Sequence, residues 1–211
     1  TGIGQGYTQT TPLQLCQMTA QLANGGFKIY PKIIVEEDSK TAEEIRFIMN
    51  ENRKQLNKKD SGLKDTTEEL LGFLDKKEHE TLFKSSKNIN LVREAMFAST
   101  NEVRGTSYNS RIEDPKYQFA GKTGTSQVKR ITEAARELDL STSEIPYNER
   151  DHALYIAFGP YKNPRYALSI VIEHGGSGSS AAAPIAKKLF KLIVDRHELR
   201  EKQTKQNDLK I

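Results

Sequence analysis

An α+β fold, with an antiparallel sheet covered by helices, is predicted by three features of the chain. His152 to Pro160 and Arg165 to Glu173 are apolar, strand-like runs separated only by Tyr161-Lys162-Asn163-Pro164. A connection that short makes the pair an antiparallel hairpin. Segments with helix-entry signals lie to either side, one beginning at Pro12 and one near Pro184. The resulting order is helix, strand, insert, helix, strand, hairpin, helix, in which antiparallel strands are covered by segregated helices.

The first helix is marked by Thr11 as N-cap, Pro12 at the first helical position and Gln14 completing a Thr-x-x-Gln capping box. Leu15, Met18, Leu22 and Ala23 fall close to one face, and Asn24-Gly25-Gly26 ends the helix. Residues 27–35, FKIYPKIIV, read as a strand or extended segment, with Pro31 favouring an edge or a bend. From Glu36 to about Ile89, Lys, Glu and Asp dominate. Ala42 to Met49 and Thr66 to Leu74 keep a weak helical period, so this stretch reads as an exposed helical insert. A core helix is expected over Asn90 to Thr100, buried through Leu91, Val92, Ala95 and Met96. Tyr117 to Val128 reads as a strand interrupted by Gly121 and Gly124. The final helix carries the apolar stripe Ile185, Leu189, Phe190, Leu192 and Ile193, and its charged end is expected to fray after Arg196.

Composition excludes several classes. Hydrophobic residues make up 36% and charged residues 28% of the 211, and 32 basic against 28 acidic residues leave a net charge of +4. The two signs are interleaved, as in Glu51-Asn52-Arg53-Lys54, without aromatics for base stacking, so no nucleic-acid footprint is expected. Cys16, the only cysteine, reads as a small core residue and allows no internal disulfide. The histidines at 79, 152, 174 and 197 stand at no metal-ligand spacing, so no metal site is expected. No apolar run approaches the roughly 18–20 residues that cross a bilayer. The chain opens without Met in a turn built on Gly2, Gly4 and Gly6, and is expected to be part of a longer protein.

The strongest chemical signal is Gly121-Lys122-Thr123-Gly124-Thr125-Ser126. Gly124 lets a substrate backbone lie alongside the strand. Lys122 offers a cation for a carboxylate or for proton management. Thr123 and Thr125 offer hydroxyls, and the Thr125 N–H can aim at a developing oxyanion.

In this order, IGQGYTQTTPLQL (3–15), NGG (24–26), the Met96 helix with Gly105-Thr106, FAGKTGTSQV (119–128), DHALYIAFGP (151–160) and PRYALSIVIEHGGSGSSAAAPIA (164–186) resemble the penicillin-binding proteins. They look most like the C-terminal part of a class B transpeptidase domain of the penicillin-binding protein 2 type. The resemblance implies a partial penicillin-binding protein/β-lactamase-like transpeptidase fold over residues 1–200, with a polar helical insert at about 36–90 and a charged tail at 201–211. It also implies a serine D,D-transpeptidase that cross-links peptidoglycan stem peptides and is acylated by β-lactams, with no cofactor. Lys122 and Thr123 would bind the substrate carboxylate, Gly124 would leave room for the acyl chain, and Thr125 would supply an oxyanion N–H. Implied partners are stem peptides, β-lactams and cell-wall elongation proteins. The implied location is the periplasm, with an inner-membrane anchor outside this chain.

The family's Ser-x-x-Lys and Ser-x-Asn motifs are expected upstream of residue 1, leaving the chain inactive alone. Two formal matches are read as accidental. Ser61-Gly62-Leu63-Lys64 lies in the most polar stretch, where a lysine is not desolvated enough to act as a base. Ser107-Tyr108-Asn109 falls in a loop and out of family order. Asp151-His152 reads as a loop end and strand start, and Glu173-His174 either tunes access to the cleft or caps the sheet. The alternatives are a β-lactam-sensing or β-lactamase-type domain, and a non-catalytic interaction module that binds through the insert.

Overall fold

Thr11 opens the first helix by the expected reciprocal capping. Its hydroxyl accepts the Gln14 N–H at 3.2 Å, and Gln14 Oε1 accepts the Thr11 N–H at 2.8 Å. The computed structural model describes residues 9–31, 81–129 and 141–208. The Gly-rich opening up to Thr8, most of the insert, Ser61 and Lys64 lie outside the described residues. The elements are α1 (Pro12–Ala23), α2 (Ser86–Asn101), β1 (Ala120–Ser126), β2 (His152–Gly159), β3 (Tyr166–Ile172) and α3 (Ala183–Asp208). The extended segment expected over 27–35 is described only to Pro31, where it contributes a single bridge from Phe27 to Thr81.

The strands form one antiparallel sheet in the order β1-β2-β3. The predicted hairpin is β2 and β3, in the register Tyr155 opposite Ile170. Alternation along β2 sends Ala153, Tyr155 and Ala157 to one face and Leu154, Ile156 and Phe158 to the other. The first face packs with Phe119, Ala182, Ala183, Ala186 and Phe190, which brings α3 onto the sheet. The second packs with Ala23 of α1 and Met96 of α2. Helices on both faces of an antiparallel sheet match the α+β expectation.

The helix faces differ from those expected. Met18 on α1, Leu91, Val92 and Ala95 on α2, and Ile185, Leu189 and Leu192 on α3 are exposed. α3 meets the sheet through Phe190, as expected, but otherwise through Ala183 and Ala186, and α2 buries Met96, as expected, together with Ile89 and Thr100. Small residues let the helix backbone approach the sheet closely, so the alanine face is buried and the bulkier branched residues point away. α2 also begins at Ser86, earlier than expected, which places the end of the assigned insert in the core through Ile89.

Fraying after Arg196 is not seen, because α3 runs on to Asp208. The Lys116 ammonium holds Glu198 at 2.9 Å, and the Tyr117 hydroxyl donates to Asp195 at 2.5 Å, tying α3 to the loop before β1. The bond from Tyr117, more than any other contact, holds the Asp195 carboxyl below its usual pKa.

One glycine is required by packing. A Cβ at Gly121 would sit 2.3 Å from the Tyr155 hydroxyl oxygen and 2.5 Å from its ring carbon Cζ. The ring is fully buried and cannot retreat. Gly121→Ala is therefore expected to cost about 1–3 kcal/mol, read as a lower urea midpoint of unfolding. An unchanged midpoint would show that the ring has room to move.

Candidate active site

β1 presents the Lys-Thr-Gly-Thr run at an open edge. β2 covers one side of it, and among the described residues no strand pairs with the other. The direction of its backbone groups follows from one contact. The Gly121 N–H donates to Thr100 Oγ1 at 3.0 Å, away from β2. In an antiparallel ladder residues alternate, so Thr123 and Thr125 share that outward direction while Lys122 and Gly124 face β2. The outer edge is closed at its start, where Thr100 covers Gly121 and Asn101 Nδ2 donates to the Phe119 carbonyl at 2.9 Å. Among the described residues it is open from Thr123 onward.

The side chains along this edge form a polar line. Lys122 Nζ donates to the Thr123 carbonyl at 2.9 Å and to Thr123 Oγ1 at 3.3 Å. Thr123 Oγ1 shares a hydrogen bond with Thr106 Oγ1 at 3.2 Å, and Thr106 shares another with Ser99 Oγ at 3.2 Å. Accepting a hydrogen bond from Lys122 leaves the Thr123 hydroxyl its own proton to donate onward. An exposed cation, a hydroxyl chain and outward backbone N–H groups thus lie within a few residues of one strand, an arrangement that can hold a carboxylate and an extended peptide. Gly178 sits on the inner side of this strand. A Cβ there would lie 2.3 Å from the Leu154 carbonyl oxygen and 2.8 Å from that of Gly124, so the Gly/Ser turn rests directly on β1 and β2.

The remaining candidate residues are structural in this fold. Ser107 is buried, and its hydroxyl donates to the Ser99 carbonyl at 3.0 Å. Asp151 accepts the Val128 N–H at 3.2 Å through its carboxylate and the Gly176 N–H at 2.8 Å through its carbonyl. His152 Nδ1 accepts the His174 N–H at 2.9 Å, and His174, at φ +54°, turns the chain at the end of β3. His174 thus caps the end of the sheet, one of the two readings left open for it. Cys16 is half-buried against β3, its thiol directed at the Ala167 carbonyl, and burial pushes its pKa up.

Sequence reasoning did not single out Thr100 or Tyr155. The available signal was a threonine one helical turn after Met96 on the buried face of α2, and a tyrosine on the inward side of an apolar strand.

The family model for the penicillin binding protein transpeptidase domain matches residues 1–191. The chain belongs to that family. It is 34% identical over 195 residues to the peptidoglycan D,D-transpeptidase MrdA of Salmonella typhimurium strain SL1344, covering 92% of this chain and 26% of that protein. To MrdA of Escherichia coli strain K12 it is 27% identical over 205 residues, covering 96% of this chain and 26% of the relative. It therefore spans about a quarter of the length of these relatives. The crystal structure of Pseudomonas aeruginosa PBP2 in complex with WCK 5153 superposes with a TM-score of 0.55 at 28% identity, covering 90% of this chain and 32% of that one. PBP2 of Helicobacter pylori in complex with MreC superposes equally well, with a TM-score of 0.55 at 27% identity, 90% of this chain and 26% of that one. The penicillin-binding protein 2 type and the transpeptidase fold expected from the sequence are thereby shown.

Proposed function

We propose that this chain supplies the Lys-Thr-Gly side of the acyl-transfer site in a peptidoglycan D,D-transpeptidase. The observation that carries the reading is the open edge of β1, with the N–H groups of Thr123 and Thr125 directed outward beside Lys122. A stem peptide would lie along that edge, with backbone hydrogen bonds supplying affinity. Lys122 and Thr123 would hold its terminal carboxylate by charge-assisted hydrogen bonds. Gly124 would leave space for the acyl chain.

In this reading a serine from outside residues 1–211 attacks the acyl–D-alanine carbonyl. The bond to D-alanine breaks, the leaving amine takes a proton, and an acyl-enzyme forms. The Thr125 N–H would stabilise the developing oxyanion. An amine from a second stem peptide then displaces the serine, which recovers its proton. A β-lactam would follow the first half of this path. The burial of Ser107 supports placing the nucleophile elsewhere. The whole enzyme would work in the periplasm, held to the inner membrane by a segment outside this chain. The solved complex of a PBP2 with MreC supports elongation proteins as its partners.

The test is acylation of the whole enzyme by benzylpenicillin, followed by intact mass. One covalent adduct is expected, mapping outside residues 1–211. Lys122→Ala should slow acylation by about 10- to 100-fold, the kinetic equivalent of a lost hydrogen bond to a charged group. An adduct on Ser61, or an unchanged rate in Lys122→Ala, would overturn the reading.

A further inference from the structure

We propose that Thr100 is a positioning residue that closes the edge of β1 at Gly121 and so sets the register in which an extended substrate pairs with Thr123 and Thr125. The inference rests on the functional reading above and adds to it a residue on α2, away from the Lys-Thr-Gly run.

Thr100 lies in the last turn of α2 and is fully buried. Its Oγ1 has five polar neighbours: Gly121 N at 3.0 Å, Tyr155 Oη at 2.9 Å, Ser107 Oγ at 3.3 Å, Gly121 O at 3.4 Å and Met96 O at 3.4 Å. A hydroxyl has one proton and two lone pairs, so these contacts cannot all be bonds at once. The fixed groups decide among them. A backbone N–H can only donate, so Gly121 gives its proton to Thr100. A carbonyl can only accept, so the Ser107 hydroxyl gives its proton to Ser99 O at 3.0 Å. Ser107 is then left as an acceptor for Tyr155 at 3.1 Å. The shortest contacts therefore form one directional chain, from Gly121 N–H to Thr100, Tyr155, Ser107 and the Ser99 carbonyl. Every hydroxyl in it donates once and accepts once. Burial pushes the Tyr155 phenol pKa up, so it keeps the proton it donates.

This chain has a consequence for substrate register. An incoming strand needs outward N–H and C=O groups on β1 at every second residue. At Gly121 the N–H is committed to Thr100, and the C-terminal end of α2 lies against the adjoining edge. Among the described residues Thr123 is then the first position whose outward N–H is open to a substrate backbone, its carbonyl already accepting from Lys122 Nζ, and Thr125 is the next. Tyr155 stands directly opposite Thr123 in the ladder, with its hydroxyl against Gly121. The same hydroxyl chain therefore holds the strand in place and marks where pairing begins. A substrate in this register puts one carbonyl at the Thr125 N–H, and a shift by one residue would turn its side chains to the opposite face.

The experiment uses the whole enzyme with benzylpenicillin as probe, separating the dissociation constant of the initial complex from the acylation rate constant. Thr100→Val keeps the shape and removes the acceptor of the Gly121 N–H. It is expected to lower the acylation rate constant about tenfold or more, since small misplacements at a reacting centre can cost up to about 100-fold. The initial dissociation constant should stay within about twofold of the unmodified enzyme. Thr100→Ser restores the hydroxyl and should recover the rate, which a purely structural role for the threonine methyl would not allow. Tyr155→Phe breaks the chain one step further on, keeps the ring, and should give an intermediate loss if Thr100→Val does not fold.

An unchanged acylation rate constant in Thr100→Val or in Tyr155→Phe overturns the inference. So does failure of Thr100→Ser to rescue. These results leave the functional reading standing as long as the unmodified enzyme is acylated. Absence of any acylation in the unmodified enzyme overturns the reading and the inference together.

Discussion

Replacing Thr125 with proline is expected to slow β-lactam acylation of the whole enzyme by about 100- to 1,000-fold, the usual cost of one oxyanion donor, with the fold retained. Proline has no N–H, and in most strand positions its insertion breaks the sheet. At Thr125 the geometry is different. The Gly121 N–H points away from β2 to Thr100, so by alternation the Thr125 N–H points outward as well and makes no bond to β2. Proline is tolerated at such edge positions. The neighbouring substitution Gly124→Pro removes a group that faces β2, and should destabilise the sheet as well. Circular dichroism melting separates the two variants, and the acylation rate constant reads the function. A folded Thr125→Pro enzyme that acylates at the normal rate would remove the Thr125 N–H from the oxyanion role.

Phe190→Ala is expected to cost about 3–5 kcal/mol of stability, the range for truncating a buried aromatic. Phe190 is 1% exposed and stacks on Phe119 with ring centroids 4.9 Å apart. It fills the space beside Gly159, where an added Cβ would lie 3.0 Å from its ring. No small side chain nearby can occupy the volume it leaves, so a cavity adds to the lost transfer energy. Leu192, on the same helix but 64% exposed, supplies the contrast. Its change to alanine should alter stability by no more than about 0.5 kcal/mol. Urea unfolding of both variants measures the difference. Equal effects would mean that α3 does not dock through its alanine and phenylalanine face.

These two helical positions also show where the sequence could be read and where it could not. Helix existence and entry were legible, because a capping box or a proline at the first turn involves only residues close together in the chain. The hairpin of β2 and β3 was legible for the same reason, since a short turn leaves antiparallel pairing as its only outcome. The buried helix faces were legible only in part, through Ala23, Met96 and Phe190. α3 carries apolar residues on more than one side; Phe190 was expected inside and is, but the choice between Leu189 or Leu192 and Ala183 or Ala186 depends on how near the sheet lies.

The sequence by itself determined the family, the antiparallel sheet flanked by helices, and the strand carrying Lys122, Thr123, Gly124 and Thr125. Each of these rests on local patterns or on motifs kept in order. Only the tertiary structure decided that, among the described residues, β1 is an open edge, that Thr100 and Asn101 close its start, and that Tyr155 and Ser107 continue the hydroxyl chain from Thr100. Thr100 is 21 residues from Gly121 and 55 from Tyr155. A hydroxyl's partners at such separations are set by how helix and sheet pack together, and no spacing along the chain encodes that.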